Sequence, residues 1–231
     1  INGRYVWRND RYEGLEVGEW SRFVDIDGDG RVDLLGESPI SYIRAWRNVG
    51  TKTAARFVVA ADSLHDGDGV PLAADRQNIL NLVDIDCNGR LDLFLGRVAG
   101  TVDRYEAIPG SAQNGIPRFG LITERYEGIE VLGPVPGQPN SIEDRGSRHG
   151  ANTLAFGDID GDGDPDLFWG DYFEPGLLLF ENLASGCGSP DMRAVPRRFP
   201  IGNGLLTSGY NAPSLGDVDG DGLLDLVMGV I

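Results

Sequence analysis

Short apolar runs alternate with acidic, glycine-rich turns along the 231 residues of this chain. The runs are rich in Leu, Val, Ile and aromatic residues, and no stretch sustains apolar positions at helical spacing, so strands are predicted. Four of the turns are flanked alike. The residue two before the turn is apolar (Phe23, Leu82, Phe156, Leu215), and Leu follows its last acid (Leu34, Leu93, Leu167, Leu226). The run leaving the turn stops at Gly36, Gly96, Gly170 or Gly229, one residue early in the first copy. First strands are thus predicted around residues 20–24, 79–83, 153–157 and 213–216, with a second strand after each turn. A third strand should hold Trp46, Tyr105 and Phe180, which lie 13, 13 and 14 residues beyond the last acid of their turns. The pairs Arg56-Phe57, Arg118-Phe119 and Arg198-Phe199 suggest a fourth.

The turns read DIDGDGRVDLL from Asp25, DIDCNGRLDLF from Asp84, DIDGDGDPDLF from Asp158 and DVDGDGLLDLV from Asp217. Side-chain oxygens fall at positions 1, 3, 5 and 9: Asp25, Asp27, Asp29 and Asp33; Asp84, Asp86, Asn88 and Asp92; Asp158, Asp160, Asp162 and Asp166; Asp217, Asp219, Asp221 and Asp225. Position 7 (Arg31, Arg90, Asp164, Leu223) can turn its carbonyl inward, and Gly at position 6 permits the bend. A hard cation needs this donor type at this spacing, and calcium, up to four ions, is the expected cofactor. An EF-hand would place a bidentate Glu at position 12 and helices on both sides. Position 12 here is Gly36, Leu95, Trp169 and Met228, so the unit is strand, metal loop, strand. The second loop should bind most weakly: Asn88 is neutral, and Cys87 stands where the other loops have Gly.

Loop starts lie 59, 74 and 59 residues apart. A four-stranded unit recurring at that interval predicts an all-β fold of β-propeller blades. The whole of 1–231 reads as one propeller segment, with blade motifs at about 18–60, 76–122, 150–200 and 213–231. Tyr5-Val6-Trp7-Arg8-Asn9 matches the third-strand pattern without a loop before it, and the fourth unit stops after its second strand. The expectation is part of a larger ring of about seven blades, with closure by further residues or by another chain both open.

The flanked loops and the trailing aromatic-x-Asn (Trp46-Arg47-Asn48, Phe180-Glu181-Asn182) resemble the VCBS/FG-GAP repeats of bacterial secreted proteins. These are similar to the calcium blades of integrin α-subunit propellers. The resemblance implies a calcium-stabilised recognition or scaffold domain for protein or glycan partners at the propeller loops, as in adhesins and lectins. The setting implied is a larger extracellular or membrane-associated complex. It also allows an alternative, the propeller part of a polysaccharide-acting, lyase-like enzyme. Cys87, Asn88 and a Pro/Gly-rich insertion at roughly 133–150 depart from the repeat pattern.

Composition adjusts this picture. The formal net charge is −16, and fifteen of the acids are the proposed ligands, so four divalent ions would halve the excess. No basic stripe could track phosphates, and nucleic-acid partners are disfavoured. No apolar run is long enough for a transmembrane helix. Two cysteines make no disulfide framework; Cys87 and Cys187 read as independent thiols, with a bridge between them as the alternative. Loops of this type fill at extracellular calcium levels, which favours a secreted or periplasmic location. Catalysis has little to stand on. His65 and His149 belong to no metal array, and the loop from Glu143 to His149 reads as a solvated insertion. His65-Asp66-Gly67-Asp68-Gly69 lacks the ligand spacing and reads as a turn; RYEGLEV and RYEGIEV, from Arg11 and Arg125, read as a shared linking segment.

Overall fold

The structure is a computed structural model that describes residues 6–7, 10–39, 41–74, 78–134, 145–148, 152–172, 176–201, 205–207 and 210–230. It is all-β. Among these residues the helical turns are two 3-10 turns, Tyr12–Gly14 and Tyr126–Gly128. The strands are β1 (Ser21–Val24), β2 (Asp33–Glu37), β3 (Ile43–Asn48), β4 (Phe57–Ala61), β5 (Asn81–Val83), β6 (Asp92–Gly96), β7 (Val102–Ala107) and β8 (Phe119–Thr123). They continue as β9 (Leu132–Pro134), β10 (Arg145–Arg148), β11 (Asn152–Gly157), β12 (Asp166–Asp171), β13 (Leu177–Phe180), β14 (Arg197–Phe199), β15 (Ala212–Gly216) and β16 (Asp225–Gly229).

Three antiparallel sheets run in simple sequence order, β1 to β4, β5 to β8 and β11 to β14; β15–β16 and β9–β10 form two-stranded sheets. The predicted first strands fall on β1, β5, β11 and β15, and Trp46, Tyr105 and Phe180 fall on the third strands. All four acidic loops connect paired strands in one register: Val24 faces Asp33, Val83 faces Asp92, Gly157 faces Asp166 and Gly216 faces Asp225. Since side chains alternate with period two, identical register puts equivalent residues on equivalent faces of all four sheets. The insertion contributes the β9–β10 pair, while Tyr5, Glu143, Asp144 and His149 lie outside the described residues.

The sheets pack face to face in chain order through three apolar cores. Leu35, Ile43, Leu80, Leu93 and Phe119 join the first sheet to the second. Phe94, Tyr126, Phe156, Trp169 and Phe180 join the second to the third. Phe168, Leu177 and Leu179 meet Leu215 and Met228 of the fourth. Glycines at or next to the end of the second strands allow this approach at two joints: a Cβ on Gly96 would overlap the Asn152 side chain, and one on Gly170 would overlap the Asn211 carbonyl.

All four first-strand segments meet at one side chain. Arg22 on β1 donates from Nε to the Leu80 carbonyl just before β5 (3.0 Å), and from Nη2 to Leu154 of β11 (3.2 Å) and Pro213 of β15 (3.4 Å). Burial lowers the guanidinium pKa to about 10, so it stays charged at neutral pH and donates to all three carbonyls.

Candidate metal centres

Each loop is shaped first by its position-1 carboxylate. Asp25 accepts from the N–H groups of Asp29 and Gly30, Asp84 from Asn88 and Gly89, Asp158 from Gly161 and Gly163, and Asp217 from Gly220, Asp221 and Gly222. These are Asx-type bonds, and they curl the backbone around the acid. Position 9, the first residue of the second strand, accepts the position-2 N–H in every copy: Ile26 to Asp33, Ile85 to Asp92, Ile159 to Asp166 and Val218 to Asp225. Its other oxygen takes the backbone N–H of Asn48 at Asp33 and of Asn182 at Asp166, and the side-chain oxygens of these two residues accept from Gly50 and Arg56 and from Ala184 and Asp191.

Carboxylates converge in all four loops. One oxygen from each of Asp25, Asp27 and Asp29 lies within 4.8 Å of the others, and the same holds for Asp84, Asp86 and Asp92, for Asp158, Asp160 and Asp162, and for Asp217, Asp219 and Asp225. Opposite oxygens around one calcium ion stand roughly 4.6–5.2 Å apart. Each trio could therefore share one metal ion. Asp33, Asp166 and Asp221 stand outside these trios, while Asp92 and Asp225 join theirs although they also accept the position-2 N–H.

The loops differ in what now balances their charge. In the first, Arg47 of β3 pairs with Asp27 and Asp29, and Arg31 pairs with Asp29. In the second, Arg104 of β7 reaches Asp86 (2.6 Å) and Asp92 (2.8 Å), while Arg90 and Asn88 both contact Glu106. Among the described residues no basic side chain pairs with the third or fourth loop. Asp164, at position 7 of the third, is 1% exposed, and its carboxylate has only the Gly186 backbone N–H near it as a donor, outside good hydrogen-bond geometry. Burial, then the neighbouring Asp162, Asp160 and Asp158, pushes its pKa up. Asp166 is raised to about 6, chiefly by burial. A buried carboxylate among other carboxylates, with no cation beside it among the described residues, is a site short of positive charge, and a hard cation fits it. Leu223, at position 7 of the fourth loop, carries an exposed side chain.

Cys87 departs from the expectation of independent thiols: it is bonded to Cys187, with Cα atoms 5.6 Å apart. Cys187 lies in the β13–β14 connection, whose glycine-rich turn also approaches the third loop, with Gly186 beside Asp162. Cys87 adopts φ +52°, where Gly28, Gly161 and Gly220 have +73°, +81° and +81° at the same position. Position 4 therefore needs the left-handed region, and Cys87 holds it at some cost. Sequence reasoning missed Arg47, Arg104 and Glu106. They lie on third strands, and only the strand register brings them to the loops. His65 to Gly69 is a turn as expected, with Asp66 accepting from Asp68 and Val70.

Fold and site together define an all-β protein with four acidic hairpin loops, each able to hold a metal ion. No family model and no curated protein matches the chain. Among solved structures, a chain of the Photorhabdus luminescens Tc holotoxin pore is similar at 22% identity, covering 91% of this chain and 8% of that chain, with a TM-score of 0.38. At that TM-score the two need not share an arrangement of sheets.

Proposed function

We propose that the four loops bind calcium and that the protein is a secreted or periplasmic recognition and scaffold module built of β-propeller blades. The carboxylate trio recurring at every first hairpin carries this reading, and Asp164, buried in the third loop among acids, strengthens it. Calcium would neutralise acids crowded at the hairpin tips and fix the angle at which each strand pair leaves its loop. The meander order of the sheets and the convergence of four first-strand segments on Arg22 support a radial arrangement around that residue. The disulfide between exposed cysteines favours an oxidising compartment. Such a module offers its loops to a protein or glycan.

The test has two readouts. Calcium titrated into chelator-treated protein should raise the melting temperature, each site adding about 2.7 kcal/mol at a hundredfold excess over its Kd. Magnesium should substitute poorly, because it demands a smaller octahedral shell. An identical midpoint in excess chelator and in millimolar calcium rules out the metal. Binding to an immobilised glycan panel should need calcium; binding that survives chelation separates the recognition surface from the loops.

A further inference from the structure

Where the first sheet meets the second, a cavity of ≈ 320 Å³ opens to solvent, at the small end of the range for ligand pockets, about 300–1,000 Å³. One wall runs from the end of β4 through Asp62 and Ser63 to His65, and the other is the β7–β8 connection from Ser111 to Arg118. Both walls are tied down. The Leu64 N–H donates to the Ile43 carbonyl of β3 (2.8 Å), and the His65 carbonyl accepts from Phe119 at the start of β8 (3.0 Å). In the connection, Gln113 and Ile116 exchange backbone bonds (3.0 and 2.9 Å), and the Ser111 hydroxyl donates to the Ile108 carbonyl while accepting the Arg118 N–H. Asn114 Nδ2 reaches across to the Ala60 carbonyl (3.3 Å). A ligand finds these walls in place, which spares it the cost of ordering them.

The side chains on these walls are rich in donors. Arg118 is half-buried, and among the described residues its guanidinium makes one long hydrogen bond, from Nη1 to the Gly67 carbonyl (3.4 Å). Other half-buried arginines of this acidic chain, Arg31, Arg47, Arg97 and Arg104, each meet a carboxylate. His65 Nε2 stands 3.4 Å from the Ser63 hydroxyl, and the exposed Gln113 side chain holds no hydrogen bond among the described residues. The acid on the lining, Asp62, is paired with Arg44 (3.0 Å). Asp66 lies off the lining and accepts from its own turn. Although the chain carries −16 overall, charges beyond about 8 Å are screened at physiological salt, so the guanidinium sets the local potential.

We propose that this cavity binds a carboxylated sugar residue at the end of a glycan. The Arg118 guanidinium takes the carboxylate, a planar fork meeting a planar acid. His65, Ser63 and Gln113 take the ring hydroxyls, which need partners that both donate and accept. Ala61, Ile116 and Pro117 offer an apolar bed to the C–H face of the ring. The open side leaves room for the rest of the glycan. This deepens the recognition reading above and rests on its glycan half, not on calcium, since no acid of the metal loops lines the cavity.

Methyl glucuronide and methyl glucoside, which differ by one carboxylate, are the probes, titrated into the whole chain in millimolar calcium and followed by amide chemical shifts. The glucuronide should bind with a Kd of about 1 mM or below, as a ligand of about a dozen non-hydrogen atoms can. The glucoside, and acetate as a bare anion, should each bind at least about tenfold more weakly. The shifts should centre on residues 63–65 and 111–118. Arg118→Gln should weaken the glucuronide at least about tenfold and leave the glucoside unchanged. Gln113→Glu, at an exposed side chain, should keep the melting temperature and weaken the glucuronide about threefold through like charge. Glucoside or acetate binding as tightly as the glucuronide overturns the proposal, as does the absence of glucuronide binding by about 10 mM. Glucuronide binding that neither folded variant weakens also overturns it, while leaving glycan recognition at the metal loops intact.

Discussion

Cutting the bridge between Cys87 and Cys187 should cost this protein a large part of its stability, and the loss can be worked from its span. The cysteines are 100 residues apart. Closing a loop of that length removes unfolded-chain entropy worth about 4.7 kcal/mol. For a chain of this size about 2–4 °C accompanies each kcal/mol, so Cys187→Ser should melt about 9–19 °C below the wild type. Cys87→Gly breaks the same bridge but also removes a side chain from a backbone at φ +52°. Relief of that conformation is worth about 1 kcal/mol, so Cys87→Gly should melt about 2–4 °C above Cys187→Ser. Calorimetry in millimolar calcium, with and without reductant, reads both differences. Both cysteines are exposed, so reductant should bring the wild type down to the Cys187→Ser midpoint and leave both variants unmoved. If Cys187→Ser melts within about 2 °C of the wild type, loop closure by this bridge does not stabilise the fold and the calculation is wrong.

Three other outcomes follow from particular side chains. Arg104→Met frees Asp86 and Asp92 from their cation, so calcium should bind the second loop at least about tenfold more tightly, read by calorimetric titration; equal affinity would mean that Arg104 swings aside at no cost. For the same reason the third and fourth loops should fill before the first and second, where arginines already sit among the acids. In chelator, Asp166 contributes most to stability below its usual pKa of 3.8, and the contribution fades as pH rises through about 6. Asp166→Asn should therefore flatten the fall of the melting temperature across that window; an unchanged slope would place the titration elsewhere. Arg22→Met leaves three buried carbonyls without their donor and should cost about 2–4 kcal/mol in urea unfolding. An unchanged urea midpoint would show that water takes the place of the guanidinium.

Much of the fold is legible in the chain because its signals are local. The apolar pairs flanking each loop, the glycine at Gly96 or Gly229 where the second strand ends (β2 and β12 run one residue past theirs) and the aromatic of the third strand together mark strands and their order. The candidate metal loops are legible for the same reason, since acids at positions 1, 3, 5 and 9, with Asn88 in the second copy, need no tertiary information. What was hidden depends on register and on distance along the chain. Arg47 and Arg104 read as ordinary polar positions on alternating strands until pairing lays them over the loops. Cys87 and Cys187 look unrelated because the contact between one sheet's connection and the previous sheet's loop is set by stacking. Asp164 reads as a position whose carbonyl would serve, and only the fold shows its carboxylate buried among Asp158, Asp160 and Asp162.

The contact made by Arg22 also sets a clock on biosynthesis. Its most distant partner, Pro213, is made 191 residues later. At a ribosomal rate of 5–20 residues per second, that interval is about 10–40 s. During it the first three sheets can assemble, but the guanidinium still lacks one of its carbonyls and the third sheet lacks the covering of Leu215 and Met228. A nascent chain paused in that window exposes an unfinished apolar face beside the third metal loop. Whatever shields that face during synthesis must leave before β15 can dock.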